Sequence, residues 1–254
     1  VGMEEIPASY SKLAIEQFNS AFEKLLNDNS YKDYEINVFT TPRRITSIID
    51  NIVENESIEK EEIKGPSKAI SFDQDGNPTK ALQGFLKSKG LDVKDIFYKD
   101  LNGTEYVFAT IEHKSLSFTE LIENNAENII RKIVFPKSMK WGGRDLKFAR
   151  PIRWIVSMYN DKVVKFNLED IRVSNLSNGH RFLSGKDIEI PSAQDYMKVM
   201  EENYVIVDNE ERKAKIRLES ERLAKSVGGS IQNDEAIIDQ VTNLVEYPTP
   251  LLGD

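Results

Sequence analysis

Three short runs in this sequence place cations in settings suited to gripping anions. The first is Phe39-Thr40-Thr41-Pro42-Arg43-Arg44. Two guanidiniums beside a proline-fixed bend can hold a phosphate through paired N–H donors; the plainer reading is a strand break with solvated arginines. The second is Phe135-Pro136-Lys137-Ser138-Met139-Lys140-Trp141-Gly142-Gly143, followed by Phe148-Ala149-Arg150-Pro151-Ile152-Arg153-Trp154. Both tryptophans of the chain lie here, and cations interleaved with flat rings offer charge for a backbone and faces for unpaired bases. Trp154 sits in the apolar run Ile152–Tyr159 and reads as core, whereas Trp141 fits core and binding surface equally. The third is Asn178-Gly179-His180-Arg181-Phe182. A histidine beside an arginine can titrate or bind phosphate, but with no carboxylate partner in view a structural role is the simpler reading.

The rest of the composition narrows the chemistry. The 254 residues carry no cysteine and two histidines, His113 and His180, which excludes disulfides, thiolate nucleophiles and a multi-histidine zinc site within the chain. Asp73, Asp75 and Gly76 imitate the start of a calcium loop, but no glutamate follows at the required spacing. Neither GxxxxGK[ST] nor GxGxxG occurs. The formal net charge is -8, which argues against generic nucleic-acid binding. Its distribution points the other way: Arg131–Arg153 holds eight cations against Asp145 alone, a net of +7. A basic segment in an acidic chain can aim at phosphate while the remainder repels it.

These residues need elements to hold them. Helical spacing of Leu13, Phe18, Phe22, Leu25 and Leu26 predicts a helix over Ser9–Asn27. Tyr34–Thr40 and Arg44–Ile52 read as strands broken by Pro42, and Glu54–Lys64 as a charged, solvated stretch. Asp73–Pro78 is turn chemistry, and Thr79–Lys89 a short helix stopped by Gly90. Glu105–Glu112 is a strand candidate. Ser117 with Glu120 forms a capping box for a helix that Pro136 ends. Ile152–Tyr159 and Lys162–Phe166 suggest a hairpin through Asn160-Asp161. Ser192 caps a short helix, Val205–Val207 a brief strand, and Asp208 with Glu211 a second capping box. Glu221 and Lys225 form a favourable helical pair before Gly228-Gly229. Glu235–Val245 completes the helices. Strands and helices without a βαβ rhythm predict an α+β fold of mixed antiparallel strands and helices, more helical toward the C-terminus. The expected division is an α+β region 1–190 and a mainly helical segment 191–254. Val1 is not an initiator residue and Leu251–Asp254 stops within an apolar phrase, so a piece of a longer polypeptide is expected.

Seven phrases in order, Glu4–Ala8, Phe39–Arg44, Asp75–Ala81, Phe135–Trp141, Phe148–Trp154, Gly179–Leu183 and Val241–Pro248, closely resemble signature phrases of the beta subunit of bacterial two-subunit glycyl-tRNA synthetases. The resemblance spans nearly the whole chain. It implies an assembly of two alpha and two beta subunits in the cytoplasm, acting on tRNA(Gly) without a membrane. It also places the glycine and ATP sites on the alpha subunit, so no catalytic residue, cofactor or metal ligand is carried onto this chain. The family's later HD-like and anticodon-binding regions are not visible here.

The leading expectation is a non-catalytic region supporting tRNA recognition and assembly of glycine–tRNA ligase, with Arg43, Arg44, Lys137, Lys140, Trp141, Arg144, Arg150, Arg153 and Arg181 as candidate RNA contacts. One rival is a docking module for the alpha subunit that never touches RNA, since arginine and tryptophan also anchor protein interfaces. The other is a hydrolase correcting mischarged tRNA, for which no nucleophile motif stands in the sequence.

Overall fold

A computed structural model describes residues 1–54, 58–114, 116–232 and 234–253. The chain divides into two compact units, one of Val1–Glu54 with Leu116–Asp254, the other of Asn55–Ser115. The second is thus inserted into the first, and the boundary expected at residue 190 lies inside the larger unit.

The larger unit begins with β1 (Gly2–Met3), α1 (Ser11–Asp28), β2 (Glu35–Thr41) and β3 (Arg44–Asp50). β2 and β3 pair antiparallel in full register from Glu35↔Asp50 to Thr41↔Arg44. Pro42-Arg43 form the reversal, because proline presets the backbone angle of a tight turn and gives up no ladder donor there.

The inserted unit holds β4 (Ile58–Ser67), α2 (Lys68–Ser71), α3 (Lys80–Lys89), β5 (Ile96–Leu101) and β6 (Thr104–Lys114). Its sheet has the order β4-β6-β5, all antiparallel. β5 turns into β6 through Asn102-Gly103, both at positive φ (57° and 82°), as a two-residue hairpin requires. Leu82, Leu86 and Val107 form its core. The segment expected to be solvated from Glu54 to Lys64 is a strand from Ile58 onward; residues 55–57 lie outside the described residues.

The chain returns through α4 (Phe118–Lys132), whose capping box forms as expected: Glu120 N–H donates to Ser117 Oγ at 3.3 Å and Ser117 N–H to Glu120 Oε2 at 2.9 Å. Then follow β7 (Ile152–Val156), β8 (Met158–Tyr159), β9 (Lys162–Val163), β10 (Val173–Ser174), β11 (Leu176–Ser177) and β12 (Ile188–Glu189). β8 and β9 make the expected hairpin around Asn160-Asp161 over two residues a side, whereas Ile152–Val156, expected in the same hairpin, pairs with β1 and β10 instead. The chain ends in α5 (Tyr196–Glu202), α6 (Asn209–Ser226) and α7 (Glu235–Thr242). Val205–Val207 is buried but joins no ladder; Ile206 N–H donates instead to Glu246 O at 2.9 Å.

The main sheet has the order β10-β7-β1-β3-β2, antiparallel except for β10 with β7. Apolar residues of α1 and α4, among them Ala14, Phe18, Ile129 and Ile130, share a core with Met3, Ile45, Ile152 and Ile155 of the sheet. A separate cluster of Ile190, Met200, Val205 and Val207 packs with Phe39, Val156 and Met158. The mixture is α+β, as the sequence predicts. Among the described residues no helix is long and apolar enough to cross a membrane.

Candidate nucleic-acid interface

The Pro42 turn sends its two arginines to different fates. Arg44 is sealed, 1% exposed. Its Nε donates to Glu246 Oε1 at 2.9 Å, its Nη2 to Oε2 at 3.4 Å and its Nη1 to Asn178 O at 3.0 Å, while Thr41 Oγ1 donates to Glu246 Oε1 at 2.6 Å. A charge buried this deeply needs such a partner, and the partner lies in the last matching phrase, Val241–Pro248. Arg44 therefore stands out of a ligand's reach in this conformation. Arg43 is half-buried, its guanidinium carbon 5.6 Å from the centre of the Trp154 ring, and burial holds its pKa below the usual arginine value, with Glu246 opposing.

Glu4 gathers the other arginines. Arg153 Nε donates to Glu4 Oε1 at 2.8 Å, Arg181 Nη2 to Glu4 Oε2 at 2.7 Å, and Arg181 Nη1 to Glu5 Oε1 at 2.9 Å. The Arg153 hydrogen bond, aided by the fields of Arg153, Arg181 and Arg43, holds the Glu4 carboxyl below the ordinary carboxylate range. Four phrases far apart in sequence thus meet in one patch of mixed charge: Glu4-Glu5, the Pro42 turn, Arg153-Trp154 and Arg181. Beside it Phe182 stands 84% exposed. His180 Nδ1 accepts the N–H groups of Phe182 and Leu183, both at 3.3 Å, so it closes the loop that presents them. The His113 side chain lies outside the described residues.

The remaining candidates sit on the loop between α4 and β7, which Met139 and Phe148 pin by two backbone hydrogen bonds of 2.9 and 3.2 Å. Lys140 Nζ meets Asp145 Oδ1 at 2.8 Å. Arg144 takes both oxygens of Asp170 and lies 5.9 Å from the centre of the Trp141 ring. Gly142 and Gly143 make the intervening turn at φ +58° and +75°, the left-handed region in which side chains are rare. Trp141 is half-buried against the core, its Nε1 enclosed and, among the described residues, without a hydrogen-bond partner. Arg150 donates to Ala149 O at 2.9 Å. The Lys137 side chain is exposed, and its backbone N–H donates to Tyr10 Oη at 3.1 Å.

Two residues that sequence reasoning missed tie the turn to the C-terminal helices. One is Glu246. The other is Arg212, which is fully buried; it donates to Thr40 O at 2.8 Å, Ile206 O at 2.7 Å, Val207 O at 3.1 Å and Thr242 O at 2.9 Å. Burial pushes its pKa down to about 10. Nothing local marks Arg212, one cation among many on a charged helix. Glu246 lies in a phrase noted only for resemblance.

A family model described as glycyl-tRNA synthetase beta subunit matches residues 1–254. The chain belongs to that family. A glycine–tRNA ligase beta subunit of Clostridioides difficile (strain 630) is 42% identical over 254 residues, which is all of this chain and 37% of the relative. Those of Desulforamulus reducens and Listeria monocytogenes serotype 4a are 35% and 36% identical, again over the whole chain, and are covered to 36% and 37%. The chain therefore spans little more than a third of the beta subunits it matches. All seven phrases lie within the matched span, and in this beta-subunit region five of them meet around Arg44 and Glu4.

Proposed function

We propose that this chain is a tRNA-positioning and assembly region of a two-subunit glycine–tRNA ligase, contributing to glycyl-tRNA synthesis without housing the chemistry. The observation that carries the reading is the family match along all 254 residues. A beta subunit presupposes an alpha subunit; with tRNA(Gly) and a second beta chain it makes up the cytoplasmic assembly of this reading, in which ATP is bound by the alpha subunit. The RNA contacts fall to the exposed members of the candidate set, Lys137, Lys140, Arg153 and Arg181, with the half-buried Arg144, Trp141, Arg43 and Arg150 at their margin. Arg44 acts from beneath, by holding the turn. Ion pairs at the surface are weak, so phosphate can replace Asp145 or Asp170 as the partner of Lys140 or Arg144.

The test is tRNA affinity across a salt series, using the assembled enzyme with its full-length beta subunit and the variant Lys137→Ala/Lys140→Ala/Arg144→Ala. The variant should bind more weakly, and its plot of log affinity against log salt should flatten by roughly 0.7–0.9 for each phosphate that is no longer neutralised. Unchanged slope and affinity in an intact tetramer would remove these residues from the RNA interface. The exposed Phe182 beside Arg181 favours a second reading, in which this face docks the alpha subunit, since aromatic and arginine side chains anchor protein interfaces. Dissociation of the tetramer by Phe182→Ala, with unchanged tRNA affinity at saturating alpha subunit, would select it.

A further inference from the structure

Alternation along the strands divides the inserted sheet into two faces. Successive side chains point to opposite sides, so Val107, which shares a core with Leu82 and Leu86 of α3, leaves Tyr106 and Phe108 on the other face of β6. β6 is the central strand in the order β4-β6-β5. The register brings neighbours onto that face: Phe97 stands opposite Phe108, Lys99 opposite Tyr106, and Lys64 opposite Phe108 from the other edge. The Phe97 and Phe108 rings stack with centres 6.1 Å apart and planes inclined by 29°. Glu62, Leu101 and Thr104 belong to the same face and are exposed, as are Lys64 and Lys99.

Cations accompany each of the three rings. Lys64 Nζ lies 3.4 Å from the centre of the Tyr106 ring. Lys99 Nζ lies 5.6 Å from the centre of the Phe97 ring and 5.7 Å from that of Phe108, and it ends in an ion pair with Glu62. Because β6 separates β5 from β4, this pair straps across the central strand above Phe108, which is 8% exposed on a face whose other members reach water. Both ends of the strap are about half exposed, at 45% and 47%, where an ion pair contributes little. A cross-strand aromatic pair stabilises a sheet by itself. That role does not call for a further ring on the central strand, nor for a lysine beside every ring.

We infer that this face of the inserted unit is a stacking platform for an unpaired RNA segment, with Phe97, Tyr106 and Phe108 receiving bases and Lys64 and Lys99 receiving phosphates. Aromatic side chains on adjacent strands of an open sheet are an arrangement that stacks two or three bases. The segment is unpaired because bases within a duplex turn their flat faces to one another. A phosphate offers Lys99 a charge-assisted partner in place of Glu62, which opens the strap and bares Phe108. The lysines separate a nucleic acid from an uncharged stacking ligand such as a sugar: among the described side chains of this face, two cations meet Glu62 alone. The inference rests on the RNA reading above for its kind of ligand. It differs in place and chemistry, being base stacking on the inserted unit where that reading relies on backbone charge in the larger one.

The test uses the assembled enzyme with its full-length beta subunit and a fluorescent single-stranded RNA of about eight nucleotides, within the range that such surfaces bind. Phe97→Leu and Tyr106→Leu keep apolar bulk in the strands but remove the rings. Each should weaken the probe about fivefold or more, as loss of one base stack does, and should leave the salt dependence unchanged, because no charge is removed. Phe97→Tyr and Tyr106→Phe keep a ring and should bind like the parent. A bromouridine-substituted probe irradiated on the unaltered enzyme should attach to β5 or β6. Leucine variants that bind like the parent overturn the inference, and so do crosslinks confined to other segments. Leucine variants that shed the alpha subunit but keep the probe overturn it too, in favour of a protein contact. Lys137, Lys140 and Arg144 are untouched in these variants. A tRNA salt slope that responds to their loss while the leucine variants are silent removes the platform alone, and the reverse removes the loop alone. If the leucine variants do not fold, the crosslink decides.

Discussion

Removing the Glu246 carboxylate would leave the Arg44 guanidinium in the interior with Asn178 O as its remaining oxygen acceptor. Glu246→Ala should therefore cost about 3–5 kcal/mol, the penalty of an uncompensated buried charge, read by equilibrium unfolding in denaturant. The double variant Arg44→Met/Glu246→Leu should cost far less, because it removes both charges. If it proves as damaging as the single variant, the pair is not what sets the cost. Glu4 gives a pH prediction. Its folded pKa is depressed below 4.5, so its contribution to stability is complete above 4.5 and is lost as pH falls through the lower folded value. Asp145 and Asp170, held down by Lys140 and Arg144, act in the same sense from 3.8. Stability measured against pH should decline on the acid side of 4.5, and Glu4→Gln should shallow that decline. A Glu4→Gln profile identical to the parent's would show that the Arg153 and Arg181 pairs add nothing. At this scale the sequence did not show where Arg44 goes: the anion-gripping geometry expected of it exists, but a carboxylate 202 residues away stands where a phosphate was expected.

Among the elements, those with a strong period or a cap were legible, as α1, α4 and the β2–β3 pair show. β4 was missed because its run Glu59-Lys60-Glu61-Glu62 has no apolar alternation. In an inserted three-stranded sheet with a core as small as Leu82, Leu86 and Val107, many strand positions stay open to charge. β5 was missed although Asn102-Gly103, a strong hairpin signal, stood after it. Val205–Val207 has strand composition, but its ladder groups are claimed by Glu246 O and by Arg212, which no local pattern reveals. Trp154 was read as core and is, at 9% exposed. It sits where β7 passes β1 so closely that a Cβ on Gly2 would overlap its ring. Trp154→Ala should cost about 3–5 kcal/mol through the cavity it leaves, measured by chemical unfolding. A loss under about 1 kcal/mol would mean that the neighbours collapse into the space.

For the molecule as a whole, the +7 segment offered the strongest sequence argument for RNA, on the ground that folding has no use for clustered like charge. The fold supplies a use: Arg131 pairs with Glu127 and Glu169, Arg144 with Asp170 and Arg153 with Glu4, acids contributed by α4, the loop before β10 and the N-terminal stretch. Spacing along a chain cannot show such partners, so charge clustering alone overstated the field the segment offers a phosphate. The exposed Lys137 and the exposed ion pairs remain, and the salt series weighs them. The same reading of the whole molecule predicts that the purified chain gives no glycine-dependent ATP–pyrophosphate exchange; activity that survives removal of contaminating synthetase would place adenylate chemistry here.

The Arg44–Glu246 pair also sets a timetable for synthesis. On the ribosome the β2–β3 turn emerges early, carrying a guanidinium whose carboxylate has yet to be made. At roughly 5–20 residues per second, the 202 residues between them take about 10–40 s to translate. Throughout that interval the nascent turn lacks Glu246, and it lacks Arg212 until residue 212 has emerged. The sheet can collapse on α1 in the meantime, but the turn can lock only when almost the whole of this region has left the tunnel.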